Sequence, residues 1–136
     1  LYNLLVERVI NMAITWYNER SKDCIATLYD TNITLNRPTS IYVERAFKVM
    51  LGVNKNKEVF YIKPITKEEV SRRAYDKTEL YNITLRSSYS RITNKGFINE
   101  IKEVLGIKEI GRKPKKFLIE YDEDEKILVV NLKEEL

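Results

Sequence analysis

The chain has 136 residues, of which 43% are hydrophobic and 32% charged, with a formal net charge of +4. This length and composition predict one domain, or two very small halves that share a core, and argue against intrinsic disorder. The single cysteine and the absence of histidine exclude a disulfide framework, Cys/His zinc sites and a Ser-His-Asp triad. No run reaches the roughly 18 uncharged apolar residues of a membrane-spanning helix, and none has the pattern of a signal peptide.

The N-terminal segment predicts a helix over residues 1–20. Its apolar residues recur at three- and four-residue steps, with no Gly or Pro between them: Leu1, Leu5, Val9, Met12 and Trp16. We expect this helix to be an addition to the main core, packed on it or forming a dimer contact. The sequence begins at Leu1 without a Met, which leaves room for residues upstream.

Two strands are predicted next, over residues 24–30 and 32–35, joined by a polar turn. Both stretches are rich in β-branched and aromatic residues. Cys24 opens the first strand, and we interpret it as a small buried residue, because no histidine exists to activate it as a nucleophile.

Residues 41–51 predict an amphipathic helix, followed by a strand over 58–65. The inner face of this helix holds five residues at helical spacing: Val43, Ala46, Phe47, Met50 and Leu51. Glu44, Arg45 and Lys48 fall on the outer face. We expect Gly52 to end the helix in a left-handed conformation, and Pro64 to mark an edge or an end of the strand.

A short linker helix is predicted between residues 65 and 77. Thr66 and Glu69 have the spacing of a capping box, and Ile65 and Val70 are placed for a hydrophobic staple.

The second part of the chain predicts a similar series of elements. Residues 80–85 alternate like a strand, and a short strand is expected around Arg91 and Ile92. The following helix has an inner face of Phe97, Ile101, Val104 and Leu105, with Lys102 outside and Gly106 as its cap. Two strands, 116–121 and 126–132, close the chain across an acidic turn at 122–125.

The two parts share their order of elements: strand, turn, short helix, Leu-Gly, charged turn, strand. Aligning Leu51-Gly52 with Leu105-Gly106 also pairs Phe47 with Ile101 and Lys48 with Lys102, and "NITL" occurs at both 32–35 and 82–85. We interpret this as an internal duplication.

The repeated unit resembles the SpoVT/AbrB superfamily of swapped-hairpin DNA-binding proteins. The resemblance is carried by "RITNKGFINEIKEVLGIKEIGRKPKKFLIEYDEDEKILVVNL" (91–132) and, less fully, by "ITLNRPTSIYVERAFKVMLGVNKNKEVFYIKPI" (33–65). The chain departs from the family at the proline that usually precedes the helix, where Glu44 stands in the first copy and Asn99 or Ile98 in the second, and at a turn glycine, where Thr39 stands in the first copy.

The resemblance implies an α+β fold, a small β-barrel of two interlocked strand-helix-strand repeats with an added N-terminal helix. Two copies in one chain would form a pseudo-dimer. We accordingly divide the chain into an N-terminal helix (1–22), a first AbrB-like repeat (23–65), a linker helix (66–78) and a second repeat (79–136).

The function that the resemblance implies is recognition of duplex DNA by a transcriptional regulator. The charge distribution agrees with it: residues 31–118 carry 19 basic and 9 acidic side chains, whereas 119–136 carry 2 and 7. The candidate base or phosphate contacts are Arg37, Arg45, Lys48, Arg86, Arg91, Lys95 and Lys102. Further candidate phosphate contacts are Arg72, Arg73, Arg112, Lys113, Lys115 and Lys116.

The alternative is a protein-interaction module, an antitoxin-like or regulatory protein without DNA specificity of its own. Its partner, or a second copy, would bind through the N-terminal helix or the C-terminal strands. The sequence shows no P-loop and no metal-ligand spacing, and its paired carboxylates are typical of a solvated surface. We therefore predict no catalytic residues, no metal and no cofactor, and a reducing, cytoplasmic location.

Overall fold

A computed structural model describes residues 23–72 and 74–136, and it shows one antiparallel sheet that curls into a half-barrel. The eight strands are β1 (Ile25–Leu28), β2 (Asn32–Asn36), β3 (Ala46–Asn54), β4 (Val59–Thr66), β5 (Thr84–Leu85), β6 (Tyr89–Thr93), β7 (Lys115–Asp122) and β8 (Ile127–Glu135). Their spatial order is β3-β4-β8-β7-β1-β2-β6-β5. This architecture is compatible with the small β-barrel expected from the sequence.

In the part of the chain that the structure describes, three short α-helices accompany the sheet. They are α1 (Ser40–Val43), which follows a 3₁₀ turn at Arg37–Thr39, α2 (Lys67–Ser71) and α3 (Lys95–Leu105). Within the two described ranges, no helix is long and apolar enough to cross a bilayer. The helix predicted over residues 1–20 lies outside the described residues.

The two edges of the sheet are tied together by one residue. Tyr81, three residues before β5, donates its backbone N–H to the carbonyl of Val49 on β3 at 2.8 Å and accepts from the N–H of Val49 at 2.9 Å. An exposed sheet edge invites pairing with other chains, and this bridge occupies part of both edges.

The core fills the concave side of the sheet, and α3 packs into it. Phe97, Ile98 and Ile101 of α3 are buried with sheet residues such as Phe60 and Phe117. The Phe60 and Phe97 rings meet edge to face, with centroids 5.7 Å apart. Buried positions alternate with partly exposed ones along β1, β2 and β6, so one face of these strands lies in the core and the other faces outward.

The helix predicted over residues 41–51 is wrong. Only Ser40–Val43 is helical, and residues 46–54 form β3, which pairs with β4 from Ala46–Thr66 to Asn54–Val59. Phe47, expected in the core, is 48% exposed, whereas Val49 is fully buried. The apolar positions fit both periods, and the hydrogen bonds offered by the neighbouring β4 decide for the strand.

The alignment of the two Leu-Gly pairs is also wrong. Gly52 continues β3 opposite Tyr61, so it caps no helix. Gly106 does end α3 as predicted, at φ 70°, and Ile107 donates its N–H to the carbonyl of Lys102 at 3.1 Å. The two copies of "NITL" differ as well, because 32–35 lies in β2 whereas 82–85 runs into β5.

Several local predictions are confirmed. Thr66 and Glu69 form the capping box of α2, with both reciprocal hydrogen bonds present. The strands predicted around Arg91 and at the C-terminal end are β6, β7 and β8. Pro64 lies beyond the part of β4 that pairs with β8, so it occupies a local edge. Cys24, interpreted as buried, is half-buried against the core.

Candidate nucleic-acid interface

The hairpins β1–β2 and β5–β6 have the same register, offset by 57 residues. Thr27 pairs with Thr34 in the first hairpin, and Thr84 pairs with Arg91 in the second. Adding 57 to each residue number of the first pair gives the second pair (27 to 84, 34 to 91). The turns match as well: Tyr29 donates its N–H to the carbonyl of Asn32, and Arg86 donates to Tyr89, both at 2.9 Å.

The hairpins β3–β4 and β7–β8 match with an offset of 68. Asn54 and Asp122 open their turns by accepting from the backbone N–H three residues later, at 3.0 and 3.1 Å. Glu58 and Lys126, which end the turns, have left-handed φ angles of 55° and 56°. The offsets differ by 11 (68 minus 57), and the extra residues lie between β6 and β7, where α3 and its loop are found.

Each hairpin pairs only with hairpins of the other half of the chain. β1 pairs with β7, β2 with β6 and β4 with β8, while Tyr81 near β5 bonds to β3. The strands β2 and β6 therefore meet at the junction of the two halves, with Thr34 directly opposite Arg91.

A polar row crosses the outer face of the sheet through this junction. Residues directly opposite each other in paired strands share a face, and successive pairings place five side chains in one line: Lys116, Thr27, Thr34, Arg91 and Thr84. None of the outward-facing side chains of β1, β2, β5 and β6, strands that the structure describes completely, is acidic. The row is consequently suited to an anionic ligand.

A shallow depression of about 420 Å³ lies at the centre of this face. Its lining consists of Tyr29, Asn32, Thr34, Tyr89 and Arg91. These side chains offer hydroxyl, amide and guanidinium groups, which hydrogen-bond to base edges and phosphates. Among the described residues, Arg91 makes no ion pair, so its guanidinium is available.

Further cations lie at both ends of the β2–β6 pair. At one end, Asn36, the last residue of β2, pairs with Tyr89, the first residue of β6. Arg37 follows Asn36, and Arg86 lies in the turn before Tyr89, so both arginines are at this end. Lys95 follows β6 at the other end, where Thr93 pairs with Asn32. The five residues of β2 span about 17 Å, comparable with the major groove of B-DNA, which is about 12 Å wide.

Arg112 and Lys113 are brought to the same end as Lys95 by the side chain of Asp30. Asp30 accepts from the backbone N–H of Ile110 at 2.8 Å and of Gly111 at 3.0 Å, which fixes the loop after α3 beside the β1–β2 turn. Lys102 adds an ion pair to Asp30 at 2.9 Å. The Ile110 hydrogen bond, then Lys102 and Gly111, lower the pKa of Asp30 to about 2.

Lys102 is therefore not the free outer-face cation that we expected. Its side chain is 13% exposed and bound to Asp30, because the helix turns this position towards the β1–β2 turn. Lys115 is paired with Glu135 at 2.7 Å, and Lys48 donates to Asn82. These three lysines hold parts of the fold together.

The remaining candidates do not join the central face. Arg45 precedes β3 and Arg72 follows α2, so both lie where the β3–β4 hairpin begins and ends, and both are exposed. Arg73 lies outside the described residues. Of the candidates, the structure brings Arg91 to the centre, Lys116 to the same row, and Arg37, Arg86, Lys95, Arg112 and Lys113 to the ends.

The uncharged members of the face were missed by the sequence reasoning. Tyr29, Asn32, Thr34 and Tyr89 line the central depression beside Arg91. A signal was present: in "NITLN" (32–36) every second residue is polar, which marks the solvent face of a half-buried strand. Only the pairing with β6 shows that this polar face lies next to Arg91.

The outer face of β4, β8 and β7, which adjoins the polar row, has a different character. A groove of about 350 Å³ over β4, β8 and β7 is lined by apolar and acidic side chains: Val59, Leu118, Glu120, Val129, Asn131, Glu134, Glu135 and Leu136. Its three carboxylates make it unsuited to nucleic acid.

The described part of the chain contains no group of three or more Cys, Asp or Glu side chains placed to hold a metal ion. Comparison of the chain with protein-family models, with curated proteins and with solved structures finds no match.

Proposed function

We propose that this protein binds duplex DNA and regulates transcription, using the outer face of β1, β2, β6 and β5. The central depression around Thr34 and Arg91 carries the proposal, because it combines polar groups able to bind base edges with an arginine that makes no ion pair to any residue of 23–72 or 74–136. Arg37 and Arg86 at one end, and Lys95 at the other, would bind the phosphates on either side of the groove.

We further propose that the fold is of the swapped-hairpin SpoVT/AbrB type, with repeats at 23–65 and 79–136 joined by the linker region 66–78. The matching registers of the hairpins support this proposal, as does the pairing of every hairpin with hairpins of the other half. The first repeat would then connect its hairpins through α1 and the second through the longer α3. A single chain would present the face that two chains build in a symmetric dimer.

The test is binding to a random duplex across a range of salt concentrations. A DNA-binding face that neutralises several phosphates gives an affinity that falls steeply with salt, by about 0.9 log units per log unit of salt for each phosphate. Arg91→Ala should weaken binding by about 1–3 kcal/mol if Arg91 makes a bidentate base contact. Arg37→Ala and Lys116→Ala should each lower the salt slope by about one unit.

The matched control is Lys57→Ala. Lys57 is an exposed cation in the β3–β4 turn, and β3 and β4 pair with neither β2 nor β6. Its removal makes the same change in net charge as Lys116→Ala but should leave the salt slope unchanged. Absence of binding by the wild type even at low salt would refute the DNA-binding proposal.

A second candidate function is the binding of a protein partner at the groove over β4, β8 and β7. Leu118 and Leu136, 39% and 55% exposed, would contact an apolar surface, and the carboxylates at its rim favour a partner with flanking basic residues. Binding driven by these apolar contacts would survive salt that abolishes DNA binding. Leu118→Ser, which changes no charge beside Lys116, should weaken it and leave DNA binding intact.

A further inference from the structure

An approximate two-fold axis passes between Thr34 and Arg91. The offset of 57 residues that relates the first hairpin to the β5–β6 hairpin carries position 34 to position 91, and these two residues are directly paired. The neighbouring pairs Asn32–Thr93 and Asn36–Tyr89 are exchanged by the same offset (32 to 89, 36 to 93). The Thr34–Arg91 pair is thus the only pair of the β2–β6 ladder that the axis maps onto itself.

A symmetric dimer must place the same residue at both positions of such a pair. Two arginines directly opposite each other would have Cβ atoms about 4.5–5.5 Å apart and would repel. The present chain has two unlike hairpins, and it places arginine opposite threonine. One cation therefore lies almost on the axis without a like charge facing it.

The turns of the two hairpins also differ in charge. Position 29 corresponds to position 86, so the exposed Tyr29 of the first hairpin is replaced by Arg86 in the second. Both differences place the cation on the second half of the chain. The outer face therefore has the strand geometry of a two-fold dimer but an unequal distribution of charge.

We propose that Arg91 is the single residue that reads a base at the centre of the DNA site, and that the preferred site is therefore asymmetric at its centre. This inference rests on the proposed function. A major groove admits a two-stranded ribbon such as β2–β6, and the Arg91 guanidinium would donate two hydrogen bonds to O6 and N7 of one guanine. Thr34, on the other side of the axis, would contact the opposite strand without demanding guanine.

Selection of bound sequences from a randomised duplex pool tests this inference with four proteins. The wild type should select a guanine on one strand at the centre. Arg91→Thr makes the pair threonine–threonine, and it should lose that preference and bind the wild-type site about 5- to 150-fold more weakly, the range of one bidentate contact. Thr34→Arg makes the pair arginine–arginine and should select guanine on both strands.

The fourth protein exchanges the two residues, Thr34→Arg with Arg91→Thr, and keeps the net charge. Relative to the flanking bases, its central guanine should move to the other strand. Thermal melting by circular dichroism checks that each variant is folded. If Arg91→Thr is unfolded, Arg91→Lys replaces it: this variant keeps the charge and should retain salt-dependent binding while losing the central preference.

The outcomes separate the inference from the proposed function. Salt-dependent binding by the wild type with a palindromic or degenerate centre would overturn the inference alone, as would an exchange variant that selects the wild-type arrangement. No binding to any duplex at low salt would overturn both.

Discussion

The two halves of the chain build the same pair of hairpins but connect them differently. Nine residues, 37–45, join β2 to β3 through a 3₁₀ turn and α1, whereas the second half joins β6 to β7 through α3 and a loop that Asp30 holds. The hairpin registers are the same in the two halves, at offsets of 57 and 68 residues. Strand pairing therefore tolerates a large change in the connection, because the hydrogen bonds between strands and not the connecting segment define the sheet.

The Leu-Gly dipeptide illustrates the same difference. Leu51-Gly52 lies within β3, where β4 supplies partners for the backbone, and Leu105-Gly106 ends α3, where the chain must turn back to β7. The same dipeptide therefore has different conformations in different surroundings. Four pairs of variants test whether the two halves differ in the way that the structure indicates.

The largest expected difference is between Ile101 and Phe47, the two residues that the sequence alignment of the Leu-Gly pairs placed at equivalent positions. Ile101→Ala should destabilise the protein by roughly 2–5 kcal/mol, because Ile101 is fully buried between α3 and the sheet. Phe47→Ala should cost far less, below about 1 kcal/mol, because the ring is 48% exposed on β3. Urea denaturation measures both. Equal losses would show that Phe47 belongs to the core and that the β3 strand is misplaced.

The second difference concerns two buried hydroxyl groups. Thr39 in the first half donates its hydroxyl to Asn36 Oδ1 at 2.8 Å, whereas the buried hydroxyl of Ser90 in the second half has no partner among the described residues. Thr39→Val should therefore cost about 1 kcal/mol, and Ser90→Ala should gain up to about 1 kcal/mol, because an unpaired polar group leaves the core. Urea midpoints of both variants test this, and a loss of stability in Ser90→Ala would mean that its hydroxyl has a partner.

The two glycines give a third, smaller contrast. Gly106→Ala should cost about 1 kcal/mol, because φ is 70° and a side chain is disfavoured there. Gly52→Ala should be neutral or stabilise the protein by about 0.5 kcal/mol, since the new Cβ would lie 3.7 Å from the Tyr61 ring, an ordinary contact. Thermal melting distinguishes the two variants, and a larger loss for Gly52→Ala would contradict the strand assignment.

The smallest effect concerns the loop that only the second half possesses. The folded pKa of Asp30, about 2, lies below its ordinary value of 3.8, so the unfolded chain takes up the proton first. The stability that Asp30 supplies is consequently present above about pH 4 and lost as the pH falls towards 2. Asp30→Asn should lower the melting temperature at neutral pH, and its difference from the wild type should shrink across that range.

Lys102→Ala provides the control for this measurement. It removes the ion pair but keeps the hydrogen bond from Ile110, which is the largest cause of the lowered pKa. Its pH dependence should therefore fall between those of the wild type and Asp30→Asn. A difference between wild type and Asp30→Asn that stays constant from pH 7 to pH 2 would show that the carboxylate does not anchor the loop.

The elements with complete local signals were predictable from the sequence. The capping box of α2 needs only Thr66 and Glu69, and the end of α3 needs only Gly106. The strands around the acidic turn at 122–125 were predictable for the same reason, since alternation and turn residues occur together. The sequence identified candidate arginines and lysines, but it did not show which of them are bound to other side chains of the protein. Lys102 and Asp30 are 72 positions apart (102 minus 30), and no local pattern links them.

Strands β1, β2, β6, β7 and β8, helix α3 and the basic middle of the chain could be predicted from the sequence, because these properties depend on residues within a few positions of one another. The tertiary structure decided the conformation of residues 46–54, where the apolar spacing allows helix or strand and β4 supplies the partners. It also decided which polar side chains share a surface. Thr34 and Arg91 face each other because β2 and β6 pair across the two halves of the chain, and such a long-range pairing depends on the whole core rather than on either strand alone.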